Sequence, residues 1–200
     1  MVAEKIFLIH FICYWTMVYL YDKNVQSNTY YKSILLSLKN QIIYTYPTIN
    51  ILFRYYPVSY NNFLLSFSYL PILAVTGDIY FYISHRPLHT KLLFDFHKSH
   101  HTGKIHVAKS LDADGVEHVF GNLGSFLSGI LLLQYFGYII NIYILTLWVG
   151  IVTLNTCLSH SNYNCQLDNG VHYLHHKTLR CNYGTGLYLI DRLTGSYKVE

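Results

Sequence analysis

Three short clusters hold most of the chain's histidines: His85-Arg86-Pro87-Leu88-His89, His97-Lys98-Ser99-His100-His101 and His172-Tyr173-Leu174-His175-His176. His160 stands alone between the second and the third. Nine of the twelve histidines sit in these positions, too many for scattered structural use. Residues three and four apart lie on one face of a helix, so each cluster projects its rings side by side. Neutral imidazole is a common metal ligand. A zinc ion takes about four ligands, so nine rings exceed one ion. Two ions, each with four or five nitrogen ligands and an open position, match the count. A nitrogen-rich, carboxylate-poor set suits iron, copper or zinc and not calcium or magnesium.

The elements that must position these rings belong to a membrane protein. Apolar residues make up 52% of the 200 and charged residues only 12%, against about 25% charged in soluble domains. Twenty-one tyrosines add the interfacial aromatics of a membrane chain. The net charge of +4 comes without a dense Lys/Arg stripe, so nucleic acid is not an expected partner. The cysteines, Cys13, Cys157, Cys165 and Cys181, form no C-x-x-C pair and read as unpaired thiols.

Taken in order, Ile6 to Tyr21 is an apolar run with no small-residue cleavage site after it, so it reads as a retained anchor. His10, inside it, reads as a lone polar residue near an interface. Residues 22–32 are a polar loop. Residues 33–56 read as an interfacial, amphipathic helix. Phe63 to Ser84 is a membrane helix kinked at Pro71 that runs straight into the first cluster. Asp78 lies in it. An intramembrane carboxylate is a functional hypothesis by default, and Asp78 precedes His85 by about two turns. The expectation is that it hydrogen-bonds a ligand imidazole and sets its tautomer. Leu123 to Gln134 and Ile139 to Leu158 form a membrane hairpin broken at Phe136-Gly137-Tyr138. The hairpin returns His160 and the third cluster to the side that holds the first two. Arg86, Lys91, Lys98, Lys104 and Lys109 before it, and Lys177, Arg180, Arg192 and Lys198 after it, make that side cytosolic. Asn169-Gly170 is a turn signal, and Leu187 to Leu193 is a short helix. The fold expected is all-α: a membrane bundle of about three or four spans under a cytosolic histidine-rich cap. Residues 1–62 form its anchor and interfacial segment, and 63–200 its histidine-bearing part.

Asp78 to His89, followed by His97-Lys-Ser-His100-His101, resembles the fatty acid hydroxylase/sterol desaturase superfamily. So does His160-Ser161-Asn162-Tyr163, which looks like its H-S-G-Y element. Asn182-Tyr183-Gly184 and Asp191-Arg192-Leu193-Thr194-Gly195-Ser196 resemble its N-Y-x and D-R-L-F-G-T elements. The resemblance covers about residues 63 to 198. It implies a pair of non-haem irons held by His85, His89, His97, His100, His101, His160, His172, His175 and His176, with O₂ as co-substrate. It implies hydroxylation, oxidative demethylation or desaturation of a sterol, fatty acyl or related lipid, in the endoplasmic reticulum if the source is eukaryotic. Electrons from NAD(P)H would arrive through a reductase, cytochrome b5 or both, since no haem- or flavin-binding segment is visible here.

One place departs from the family. Asp114-Gly115-Val116-Glu117 stands where the family has H-P-x-E. Glu117 matches; either Asp114 or His118 substitutes beside the ligands, or the site has lost something. Asn164 is a further possible ligand, Tyr163 and Tyr173 sit near enough in sequence to line a pocket, and His106 is spare. No Ser/His/Asp elbow, phosphate-cradling glycine loop or dinucleotide fingerprint is present. Two alternatives remain. One is a catalytically degraded or zinc-loaded relative of the same fold. The other is a metal or haem carrier, which predicts histidines inside the apolar runs, whereas these lie outside them.

Overall fold

A computed structural model describes residues 2–161 and 170–199. The chain is helical, with no strand among the described residues. α1 (Val2–Asp22) leads, followed by α2 (Asn28–Lys39), capped by the Ser27 hydroxyl on Tyr30 N. A π-helical turn, Asn40–Thr45, joins α2 to α3 (Tyr46–Tyr55). α4 (Phe63–Phe67) and α5 (Leu70–His85) share one apolar stretch. Pro71 opens α5 instead of kinking a continuous helix. That first-turn position lacks an N–H partner in any case. α6 (Phe94–His101) carries the second cluster. α7 (Gly115–Glu117) passes through a second π turn, His118–Leu123, into α8 (Gly124–Tyr135). α9 (Ile142–Ser159), α10 (Val171–Thr178) and α11 (Leu189–Thr194) follow.

Among the described residues four stretches are long and apolar enough to cross a membrane: Val2–Asp22, Phe63–His89, Gly115–Tyr135 and Ile142–Ser159. The break between the last two has Gly137 at φ +80°, a backbone that glycine adopts without strain. α1 packs along α9, and α5 along α8. The second pair is close because the contact carries little side chain. A Cβ at Gly129 would lie 2.9 Å from Leu73 Cα, and one at Gly77 3.2 Å from Ser125 O. Small residues let helices approach where lipid offers no hydrophobic drive. Ile6, Ile49, Leu73, Ile130, Ile144 and Leu145 fill the interior, while Leu8, Ile83, Leu147 and Ile151 face outward. That outward apolar face is what a bilayer covers. Cys13, Cys157 and Cys181 are free thiols.

α1 does more than the anchoring expected of it. Its Ile6, His10 and Tyr14 line an internal cavity of about 410 Å³ shared with α5, α8, α9 and five of the clustered histidines.

Candidate metal centre

The spans end where the histidine segments begin. α5 runs out at His85, and a 3₁₀ turn, Arg86–His89, brings His89 beside it. α6 and α10 cap the bundle from above, and His160 closes α9. The nine imidazoles gather into two groups. His85, His89, His97, His101 and His175 form one, and His100, His160, His172 and His176 the other. Within each group one ring nitrogen per residue lies within 4.8 Å of all the rest. The groups adjoin, with the His101 and His176 ring centroids 4.4 Å apart.

The clusters fork. His97 and His101 turn into the first group and His100 into the second; His172 and His176 turn into the second and His175 into the first. The i,i+4 pair stays together while the i+3 residue leaves for the neighbouring set. The His97 and His100 rings lie stacked 5.1 Å apart, facing different partners. Side-by-side projection from each cluster is thus only half of the arrangement.

Outer contacts fix which nitrogen faces inward. His85 Nδ1 donates to Tyr183 O (2.8 Å), His100 Nδ1 to Asp112 O (3.2 Å), His160 Nδ1 to Thr156 O (2.9 Å) and His175 Nδ1 to Cys181 O (2.7 Å). A carbonyl only accepts, so each Nδ1 carries the hydrogen and each Nε2 a lone pair. His97 Nδ1 pairs with Glu117 Oε1 at 2.6 Å. Inward, His100 and His160 bring two such Nε2 lone pairs to 3.3 Å of each other. No hydrogen bond can form between two acceptors; a shared cation relieves them. Seven Nε2 pairs in the two groups lie 2.8 to 3.3 Å apart. Bonds of about 2.0–2.1 Å to one ion would set neighbouring nitrogens about 2.8–3.4 Å apart, from right-angled to tetrahedral geometry. His175 Nε2 is buried with no protein partner. The donor set fits a pair of transition metal ions.

Burial also holds the rings neutral. Outside the spans, His97, His100, His101, His172, His175 and His176 are pushed well below the ordinary histidine range by desolvation and then by one another. Burial lowers His160 to about 3. Unfolded, the same residues take up protons near pH 6.5. Below that pH the unfolded chain binds more protons than the folded one, so stability falls as pH falls. The metal-free protein is expected to lose thermal midpoint steeply between pH 7 and pH 5. Added metal should move that loss to lower pH, because metal and proton compete for the same lone pairs. Thermal scans with and without metal check this; a flat midpoint over that range would contradict it.

Several expectations need correction. Asp78 does not reach an imidazole. Buried in α5, it accepts from the backbone N–H groups of Thr185 (3.1 Å), Tyr188 (2.8 Å) and Leu189 (2.8 Å). It therefore holds the loop that presents Tyr183 O to His85. Asp114 is exposed and caps α7, accepting from Val116 N at 2.9 Å. His118 bonds Thr45 Oγ1 (2.8 Å) and Asn122 (3.4 Å). The carboxylate that meets a clustered imidazole, among the described residues, is Glu117, on His97. His10 is in neither group; it bonds Thr153 and Gln41 inside the bundle. His106 is buried against the Tyr30 ring. Tyr173 lies outside the cavity wall. Tyr163, Asn164 and the Asn169 of the expected Asn169-Gly170 turn lie outside the described residues.

Sequence reasoning misses the carbonyl anchors, because every residue carries a carbonyl. It also misses the cavity-facing Thr153 and Asn155 of α9. Their signal was present: both are polar residues inside an otherwise apolar span.

The fold and the site define a class, a membrane helical protein with a histidine-built candidate metal centre at one end of its spans. The family model for fatty acid hydroxylase matches residues 70–196, more than half the chain. The protein belongs to the fatty acid hydroxylase family, within the fatty acid hydroxylase/sterol desaturase superfamily. Membership places it among membrane oxidoreductases of lipids. Neither a curated protein nor a solved structure matches the chain.

Proposed function

We propose that this protein is a di-iron lipid oxygenase that hydroxylates, oxidatively demethylates or desaturates a sterol or fatty acyl lipid. The observation that carries the reading is the division of nine imidazoles into adjoining sets of five and four, with the outer nitrogens of His85, His97, His100, His160 and His175 anchored. The five-membered set would hold one iron and the four-membered set the other. With both bound, the centre supplies reductive activation of O₂ and removal of hydrogen from an unactivated C–H bond. For hydroxylation the balance is R–H + O₂ + 2e⁻ + 2H⁺ → R–OH + H₂O. The electrons derive from NAD(P)H and arrive through a reductase, with or without cytochrome b5.

The chain's own part is binding, orientation and exclusion of water. Ile6, Ile49, Phe81, Phe126, Trp148 and Val149 give the cavity an apolar wall. His85, His97, His100, His160 and His172 stand in the same wall, so a lipid in the cavity lies against the centre. The carbonyl and Glu117 anchors hold His85, His97, His100, His160 and His175 in orientation, as outer contacts do at histidine metal sites. The basic residues flanking the hairpin support a centre on the cytosolic face, with the endoplasmic reticulum as the membrane if the source is eukaryotic.

Purified protein loaded with iron is expected to carry close to two irons per chain and to consume O₂ when given reductant and a lipid extract. Metal analysis, oxygen electrode traces and mass spectrometry of the lipids check it. Metal binding without oxygen uptake in the iron form would favour a non-catalytic, zinc-loaded relative.

A further inference from the structure

The cavity has a second polar region, apart from the imidazole groups. His10 Nδ1 on α1 lies 3.0 Å from Thr153 Oγ1 on α9, and His10 Nε2 lies 3.2 Å from Gln41 Nε2. Trp15 Nε1 donates to Gln41 Oε1 at 2.9 Å. An indole N–H only donates, so the amide oxygen of Gln41 faces Trp15 and its NH₂ faces His10. His10 Nε2 is then the acceptor and Nδ1 carries the hydrogen. Thr153 Oγ1 accepts that hydrogen and keeps its own to donate. A second chain joins Thr45, His118 and Asn122. His10, Thr45, His118, Asn122 and Thr153 all line the cavity.

The backbone is built around these groups. Gln41 and Thr45 come from the first π turn, His118 and Asn122 from the second, and the two turns pack together. π turns are rare and concentrate at functional sites. Polar side chains within spans are costly and mark substrate paths. These hydrogen bonds run among the five side chains, Gln41 and Trp15, not to the nine imidazoles.

We propose that this region is a recognition site for an oxygen function, hydroxyl or carbonyl, on the lipid, which takes the hydrogen bond that Thr153 has to give. The proposal rests on the lipid reading of the cavity, not on the iron. Thr153 precedes His160 by seven residues, about 10 Å along α9. An oxygen held there sets which carbon faces the imidazole groups. A plain hydrocarbon leaves the hydroxyl without its partner, which is how a site built for a hydrogen bond rejects the analogue lacking it.

The test compares binding of radiolabelled 1-octadecanol and octadecane to the metal-loaded protein in nanodiscs. Wild type is expected to prefer the alcohol about tenfold, the worth of one net hydrogen bond. Thr153→Val should bring the ratio below about twofold while octadecane binding and metal content stay unchanged. Thr153→Ser should keep the preference. Gln41→Leu, behind His10, should weaken it by freeing the His10 tautomer. A wild-type protein that binds both probes equally, or a Thr153→Val protein with its preference intact, overturns the proposal. Failure of both probes to bind overturns the lipid reading of the cavity itself.

Discussion

His97→Ala and His160→Ala are each expected to lower bound metal from two equivalents to one and product formation by more than about 100-fold. His97 Nε2 lies 2.9 Å from that of His85 and 2.8 Å from that of His101, at the heart of the first group. His160 holds the same place in the second, 3.2–3.3 Å from His100, His172 and His176. Removing either ring opens one set and leaves the other nearly whole. The two variants should thus lose different ions and the same activity, since a pair of sites acts as a unit. Glu117→Gln separates holding from ligating. It keeps all nine rings and changes only the partner of His97 Nδ1. Outer partners of this kind are worth about 10- to 100-fold in metal affinity or activity. Metal analysis over a chelator series, with product measured alongside, reads both effects. Two equivalents retained in His160→Ala would remove the second group from the metal centre.

The clustering of imidazoles is legible in the sequence because helical spacing is a short-range property. Three H-x-x-x-H or H-x-x-H-H segments at the ends of apolar runs need only those helices and their hairpin to meet. The same property hides the fork. Spacing places His97, His100 and His101 on one face, but a face some 100° wide serves two ions when the partner rings arrive from both sides. Asp78 shows a second limit. Its position two turns before His85 gives direction along α5 but says nothing about the loop at 183–189 that comes back over it. The π turns are invisible for another reason. One extra residue in a turn has no composition signal, yet it re-aims every polar side chain after it. Without them Gln41 and His118 read as ordinary interfacial polarity. The first 62 residues match no motif, and they supply His10 and Thr45 to the cavity all the same.

The loop held by Asp78 carries the other large effect: Asp78→Ala is expected to destabilise the protein by about 3–6 kcal/mol. The carboxylate is buried, and it accepts three backbone N–H groups, from Thr185, Tyr188 and Leu189. Hydrogen bonds to a charged group are worth about 1.5–3 kcal/mol each, and a buried donor left unpaired costs about 1–3 kcal/mol. Asp191 works on the same loop from the other side. It accepts Tyr183 N at 2.9 Å, Gly184 N at 2.6 Å and the Ser196 hydroxyl at 2.6 Å. Gly184 sits between the two carboxylates, where a Cβ would come 2.9 Å from Asp191 Oδ2 and 3.2 Å from Asp78 Oδ1. Because both hold one loop, Asp78→Ala and Asp191→Ala should be less than additive. Asp78→Asn keeps one acceptor oxygen and turns an NH₂ toward backbone donors, so it should fall between wild type and Asp78→Ala. The loop anchors His85 through Tyr183 O, whereas His100 and His160 are anchored elsewhere, by Asp112 O and Thr156 O. Metal should therefore leave the five-histidine group of Asp78→Asn at lower chelator concentration than the four-histidine group. Thermal unfolding in detergent gives the stability, and chelator titration the order of loss. Simultaneous loss from both groups would mean that Asp78 supports the bundle as a whole and not the His85 side of the centre.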